Sequence, residues 1–258
     1  MMSEFQMTDL GLLQYFLGLE VEQRSNGIFL NQRKYIQDLL KKFNMDECDA
    51  AITPMNTNDK FQRDDGTPSA DEKLYRSLVG GLNYLTHTRP DISYCVSVVS
   101  RYLHKPSKQH PGAAKRILKY VVGTSEYGIW YSKSEEFKHI GYTDSDWAGA
   151  AARQAVWLRK LLADLGYKQK GVTELWCDNK SSIAMTKNPA FHARTKNIKV
   201  QHHFIRKLVS DGSVELKFCG TNLQNADLFT KGPSQAKHQF FMERIGVKMF
   251  ESRGGVEI

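Results

Sequence analysis

Three aspartates sit where strand and helix patterns change over. Asp144 closes the strand-like "FKHIGYTD", Asp178 closes "TELWCD", and Asp227 lies in "NADLFTKG", at the start of a helical turn. In a sheet of parallel strands the C-terminal ends face one crevice, which is where sites form. Carboxylates gathered there make an oxygen-rich site suited to Mg2+ or Mn2+. Two such ions ~4 Å apart can clamp a phosphodiester and activate water for in-line attack. Spacing alone leaves a plainer reading open for each residue. An aspartate at a strand end also serves as a turn residue or helix N-cap, and Asp178 directly precedes the helix-like "NKSSI". His202 and His203 can equally be packed or solvent-facing.

Charge points to the same class of partner. The 258 residues carry a net charge of +8, and the basic excess lies in the second half of the chain. No Asp or Glu occurs between Asp178 and Asp211, a stretch holding Lys180, Arg194, Lys196, Lys199, Arg206 and three histidines. A second acid-free stretch lies between Asp91 and Glu126. Such runs favour a phosphate-rich partner, because each neutralised phosphate releases counterions. A solvated basic surface is the alternative. No apolar run reaches membrane-spanning length, and "MMSEFQMTDLG" lacks the pattern of a signal peptide. Cys48, Cys95, Cys177 and Cys219 form no CxxC pair and read as buried thiols of a reducing compartment. The expectation is an intracellular protein, cytoplasmic or nuclear, not secreted, with no membrane partner.

These side chains need elements to hold them. "YFLGLEVEQRSNGIFLNQRKYI" reads as a β-hairpin, with Asn26-Gly27 as a type I′ turn. A short helix follows, with Tyr35, Ile36, Leu39, Leu40 and Phe43 on one face. Residues 52–71 are rich in turn formers and read as a linker. Three helical stripes follow: Leu74, Leu78, Leu82 and Leu85; then Ile92, Val96, Val99 and Leu103; then Ala113, Ala114, Ile117, Leu118 and Val121. From residue 127 strands ("YGIWYS", "FKHIGYTD", "TELWCD", "SVELKFC") alternate with helices, implying a parallel or mixed sheet. The fold class is α/β, with an α+β N-terminal part. The divisions expected are 1–55, 56–126, 127–233 and a C-terminal helix and tail at 234–258.

Longer blocks carry a family resemblance. "FLGLEVEQRSNGIFLNQRKYIQDLLKKFNM" resembles the end of the reverse transcriptase domain in the Pol polyprotein of copia-type LTR retrotransposons, with the hairpin matching its primer-gripping element. "LYRSLVGGLNYLTHTRPDISYCVSVVSRYLHKPSKQHPGAAKRILKYVVGT" looks like the connection region. "GYTDSDWAG", "LWCDNKSSI", "VQHHFIRKLVSDG" and "NADLFTKG" are similar to ribonuclease H blocks. The resemblance implies a truncated ribonuclease H-like sheet, an RNA–DNA hybrid as partner, and Asp144, Asp178 and Asp227 as catalytic metal ligands. His203 would then lie near the scissile phosphate, with Lys180, Arg194, Lys196, Lys199 and Arg206 on the nucleic acid.

The departures from the family matter as much. Its polymerase carries aspartates in a "YVDD"-type turn with a further one upstream, and neither motif occurs here. DNA synthesis by this chain alone is therefore not expected. In the family a β-hairpin and half a helix carrying a glutamate separate the "DSDWAG" strand from "WLRKLL". Here "WAGA" runs straight into "ARQAVWLRKLL". The acidic quartet is left as three, and Asn197 stands where a histidine is common. Loss of the hairpin should leave the Asp144 strand as a sheet edge and expose apolar surface around Trp147 and Trp157. Three outcomes follow: a catalytically weak Pol fragment with residual nucleic-acid binding, a working ribonuclease H in which Asp146 replaces the lost acid, or a non-catalytic binding module.

Overall fold

The computed structural model describes residues 11–57, 59–134, 138–144, 149–187 and 204–249. The chain divides into two compact units, Met1–Lys133 with Lys231–Ile258, and Ser134–Thr230. Among the described residues the architecture is mixed α/β, with one antiparallel and one parallel sheet.

In the first unit five strands form an antiparallel sheet in the order β1-β2-β3-β4-β8. They are Tyr15–Phe16 (β1), Leu19–Arg24 (β2), Gly27–Asn31 (β3), Tyr127–Ser132 (β4) and Val247–Met249 (β8). The hairpin forms as its alternation requires, but the turn is not the expected one. Arg24 pairs with Gly27, so Ser25 and Asn26 make the loop, and neither they nor Gly27 have positive φ. Gly27 serves the sheet instead: a Cβ there would collide with the Tyr131 carbonyl and the Trp130 ring on β4. The left-handed turn lies one connection earlier, at Leu17 (φ 48°) and Gly18 (φ 79°), between the paired Phe16 and Leu19.

The helical stripes predict the first four helices of this unit. Arg33–Lys42 (α1), Glu72–Leu85 (α2), Ser93–Ser100 (α3), Gln109–Val122 (α4) and Gln235–Arg244 (α9) pack around one core. Ile36, Leu82, Ile92, Ile117 and Val121 are fully buried there, and Met242 and Val247 from the C-terminal end join them. Leu74 departs from its stripe and stays exposed. Asp71 caps α2, accepting from the Leu74 backbone N–H.

A buried polar network lies within this core. The Arg89 guanidinium donates to both Asp91 carboxylate oxygens at 2.9 and 2.8 Å and to the Thr124 carbonyl. The Tyr120 hydroxyl donates to the same carboxylate, and His238 Nε2 lies 3.2 Å from the Asp91 carbonyl. Burial disfavours both charges, but each stabilises the other more. The Asp91 carboxyl is held below the usual range and the Arg89 guanidinium above its own.

The second unit is built on a parallel sheet in the order β5-β6-β7: Ile140–Thr143 (β5), Thr173–Cys177 (β6) and Val214–Phe218 (β7). Its helices are Gly149–Asp164 (α5), Lys180–Lys187 (α6), residues 204–210 (α7) and Asp227–Thr230 (α8). Ala152 and Ala155 of α5 and Ile205 of α7 meet Leu175, Val214 and Leu216 of the sheet. On the opposite face Glu174 of β6 accepts from Lys138, just before β5, and from Lys217 of β7, each at 2.8 Å. These hydrogen bonds draw its carboxyl down to about 2 and tie the three strands in register.

β5 is an edge strand; among the described residues it pairs only with β6. Trp157 and Leu161 of α5 and Leu165 in the turn just after it recur every fourth residue and are all exposed. The expected exposure near Trp157 is therefore seen, whereas Trp147 lies outside the described residues.

Candidate metal centre

Parallel register builds this site. β5 and β6 align with Thr143 opposite Cys177, so the next residue on each strand, Asp144 and Asp178, leaves the sheet at the same level. β7 leads through Cys219 and a turn at Thr221–Leu223 to α8, which begins at Asp227. One carboxylate oxygen from each of Asp144, Asp178 and Asp227 lies within 4.8 Å of the other two. Asp227 is buried and the other two are half-buried.

Two neighbours sharpen the roles. Asn179, not Asp178, caps α6: its Oδ1 accepts from the Ser181 and Ser182 backbone N–H groups at 2.9 and 3.2 Å. The competing reading of Asp178 as an N-cap is thereby removed. Thr230, one turn after Asp227 on α8, donates its hydroxyl to Asp144 Oδ2 at 2.7 Å. The sequence reading missed both. The i, i+3 spacing of Asp227 and Thr230 in "NADLFTK" was the available signal for the second.

The donor set fits a hard divalent cation. Three carboxylates from separate elements converge with oxygen ligands only, as Mg2+ and Mn2+ prefer. Among the described residues no fourth His, Cys, Asp or Glu joins the group. Asp164 stands at the far end of α5. Asp146, the suggested stand-in, lies outside the described residues, as do Arg194, Lys196, Asn197, Lys199 and His203. Of the proposed nucleic-acid set, Lys180 begins α6, its ammonium 4.9 Å from the centre of the Phe218 ring. Arg206 lies half-buried on α7.

Comparison with known proteins places the chain. Residues 1–57 match the family described as reverse transcriptase (RNA-dependent DNA polymerase). The chain is 34% identical, over 95% of its length, to the retrovirus-related Pol polyprotein from transposon RE2 of Arabidopsis thaliana. The chain is related to the copia-type retrotransposon Pol polyproteins. A second such relative, the Pol polyprotein from transposon TNT 1-94 of Nicotiana tabacum, is 32% identical over 94% of this chain. An uncharacterized mitochondrial protein of Arabidopsis thaliana, AtMg00810, is 38% identical over 58% of this chain and 62% of its own length. The chain spans about a fifth of the length of the Pol polyproteins it matches. No solved structure matches significantly.

The Pol alignment is longer than the part of this chain that it uses. It extends over 288 residues, more than the 258 of this chain, while using only 95% of it. The relative thus contains positions with no counterpart here.

Proposed function

We propose that this Pol-derived chain binds nucleic acid and a divalent cation through a ribonuclease H-type carboxylate cluster, and cleaves RNA–DNA hybrids poorly or not at all. The observation that carries the reading is the meeting of Asp144, Asp178 and Asp227 at the C-terminal edge of a parallel sheet. Mg2+ or Mn2+ held there would polarise a phosphodiester and lower the pKa of a bound water. The chain's own part is to hold three carboxylates in fixed relation, with Thr230 orienting Asp144. A fourth carboxylate would share the load of a second cation; without it, water activation and leaving-group stabilisation both weaken. The acid-free run from Lys180 to Arg206 supplies cationic side chains for the backbone of the hybrid. His203 would act near the scissile phosphate.

The test is a hybrid-cleavage and binding assay with the full chain in Mg2+ and in Mn2+. Hybrid binding that weakens steeply with salt, with negligible turnover, is the expected result. Charge reversal at Lys196 and Lys199 should weaken that binding and flatten its salt slope. Robust turnover abolished by Asp178→Asn would refute catalytic weakness and favour the working ribonuclease. Absence of both binding and metal uptake would remove the reading altogether.

A further inference from the structure

We infer that Gln224 is the positioning residue of the carboxylate cluster, a clamp that sets the three aspartates in register; this rests on the metal-site reading above. Gln224 is fully buried, in the turn between β7 and α8. Its Nε2 donates to the Thr143 carbonyl at 2.9 Å, with a longer approach of 3.5 Å to the Trp176 carbonyl and one of 3.4 Å to Cys219 Sγ. Its Oε1 accepts from the Ala226 backbone N–H at 3.2 Å. Its own carbonyl accepts from the Asp227 N–H at 3.1 Å.

Apart from the one to Cys219, the side-chain contacts land close to an acid in sequence. Thr143 precedes Asp144, Trp176 lies two residues before Asp178, and Ala226 precedes Asp227. One amide thus joins the ends of β5, β6 and β7 to the start of α8. Its orientation follows from chemistry, because the reverse assignment would set Oε1 against carbonyl oxygens and Nε2 against an N–H. Neither a carboxylate nor an apolar side chain of the same length supplies both the donor and the acceptor. Groups that orient metal ligands without touching the metal are worth roughly 10–100-fold in metal affinity.

The experiment measures Mn2+ binding by calorimetry, and melting in chelator, on the full chain carrying Gln224→Met, Gln224→Asn or Leu216→Ala. Gln224→Met keeps the volume and removes the amide; its Mn2+ Kd should rise by roughly 10–100-fold. Gln224→Asn keeps the amide on a shorter stem and should show a smaller rise in the same direction; it carries the test if the Met variant does not fold. Leu216→Ala should lower the melting temperature by packing loss and leave the Kd unchanged. Unchanged Mn2+ affinity in the Gln224 variants, beside a wild-type chain that binds, overturns the clamp alone. A Kd raised equally by Leu216→Ala shows general loosening and also overturns it. A wild-type chain that takes up no Mn2+ defeats the metal reading and the clamp with it.

Discussion

Replacing Asp178 by Asn should make the metal-free chain more stable and remove its stabilisation by Mn2+. The three carboxylates repel one another across no more than 4.8 Å. At that distance one pair of unit charges costs about 3.5 kcal/mol at an effective dielectric of 20, and about 1 kcal/mol in bulk water. Asp144 and Asp178 are only half-buried, so the solvent-screened end applies, about 1 kcal/mol for each pair. Asp178→Asn abolishes two of the three pairs while keeping the shape of the side chain. The metal-free gain is therefore about 2 kcal/mol, worth about 4–8 °C in melting temperature at this chain length. In wild type a bound cation replaces the repulsion by attraction, so saturating Mn2+ should raise the melting temperature, as any ligand of the native state does. Thermal melts of both chains, in chelator and in Mn2+, separate these effects. A metal-free variant that melts below wild type would refute the repulsion, and an undiminished Mn2+ increment in the variant would refute the ligand role.

Two further outcomes concern the first unit. Arg89→Met should cost about 3–5 kcal/mol, because it strands the buried Asp91 carboxylate without its guanidinium partner; the double change with Asp91→Leu should recover part of that loss in denaturant titrations. Burial holds the His238 imidazole below its ordinary pKa, so below the ordinary value of 6.5 the unfolded chain takes up a proton that the folded chain resists. Stability is then full above that value and declines as pH falls through it towards the folded pKa. His110 and His139 are shifted the same way. The measurement is the difference in pH slope between wild type and His238→Gln, which should be shallower; identical slopes would exclude a contribution from His238.

Local patterns made much of this protein legible. Alternation in "FLGLEV" and "GIFL" predicts two strands, and stripes such as Leu74–Leu78–Leu82–Leu85 predict helices, because a side chain's burial repeats with the period of its own backbone. Asp144, Asp178 and Asp227 were legible as candidates for the same reason: each follows a strand or opens a helix turn that the pattern already marks. What local pattern leaves open is partner choice. "YGIWYS" reads as a strand whether it pairs with β3 or with the strand after it, and only the structure pairs it with β3 on one side and with β8 on the other. Asn26-Gly27 carries turn chemistry, yet Gly27 answers to the close approach of β4, a constraint set by residues more than a hundred positions away.

The sequence by itself determined which residue types are at hand: three strand-end or helix-start carboxylates, a basic run free of acids, and no "YVDD"-type turn. Tertiary structure alone decided that these carboxylates meet, that Asn179 rather than Asp178 caps the helix, and that one buried amide joins all three arms. The reason is that register between parallel strands and the reach of a side chain across a turn depend on long-range closure, which no short stretch of chain encodes.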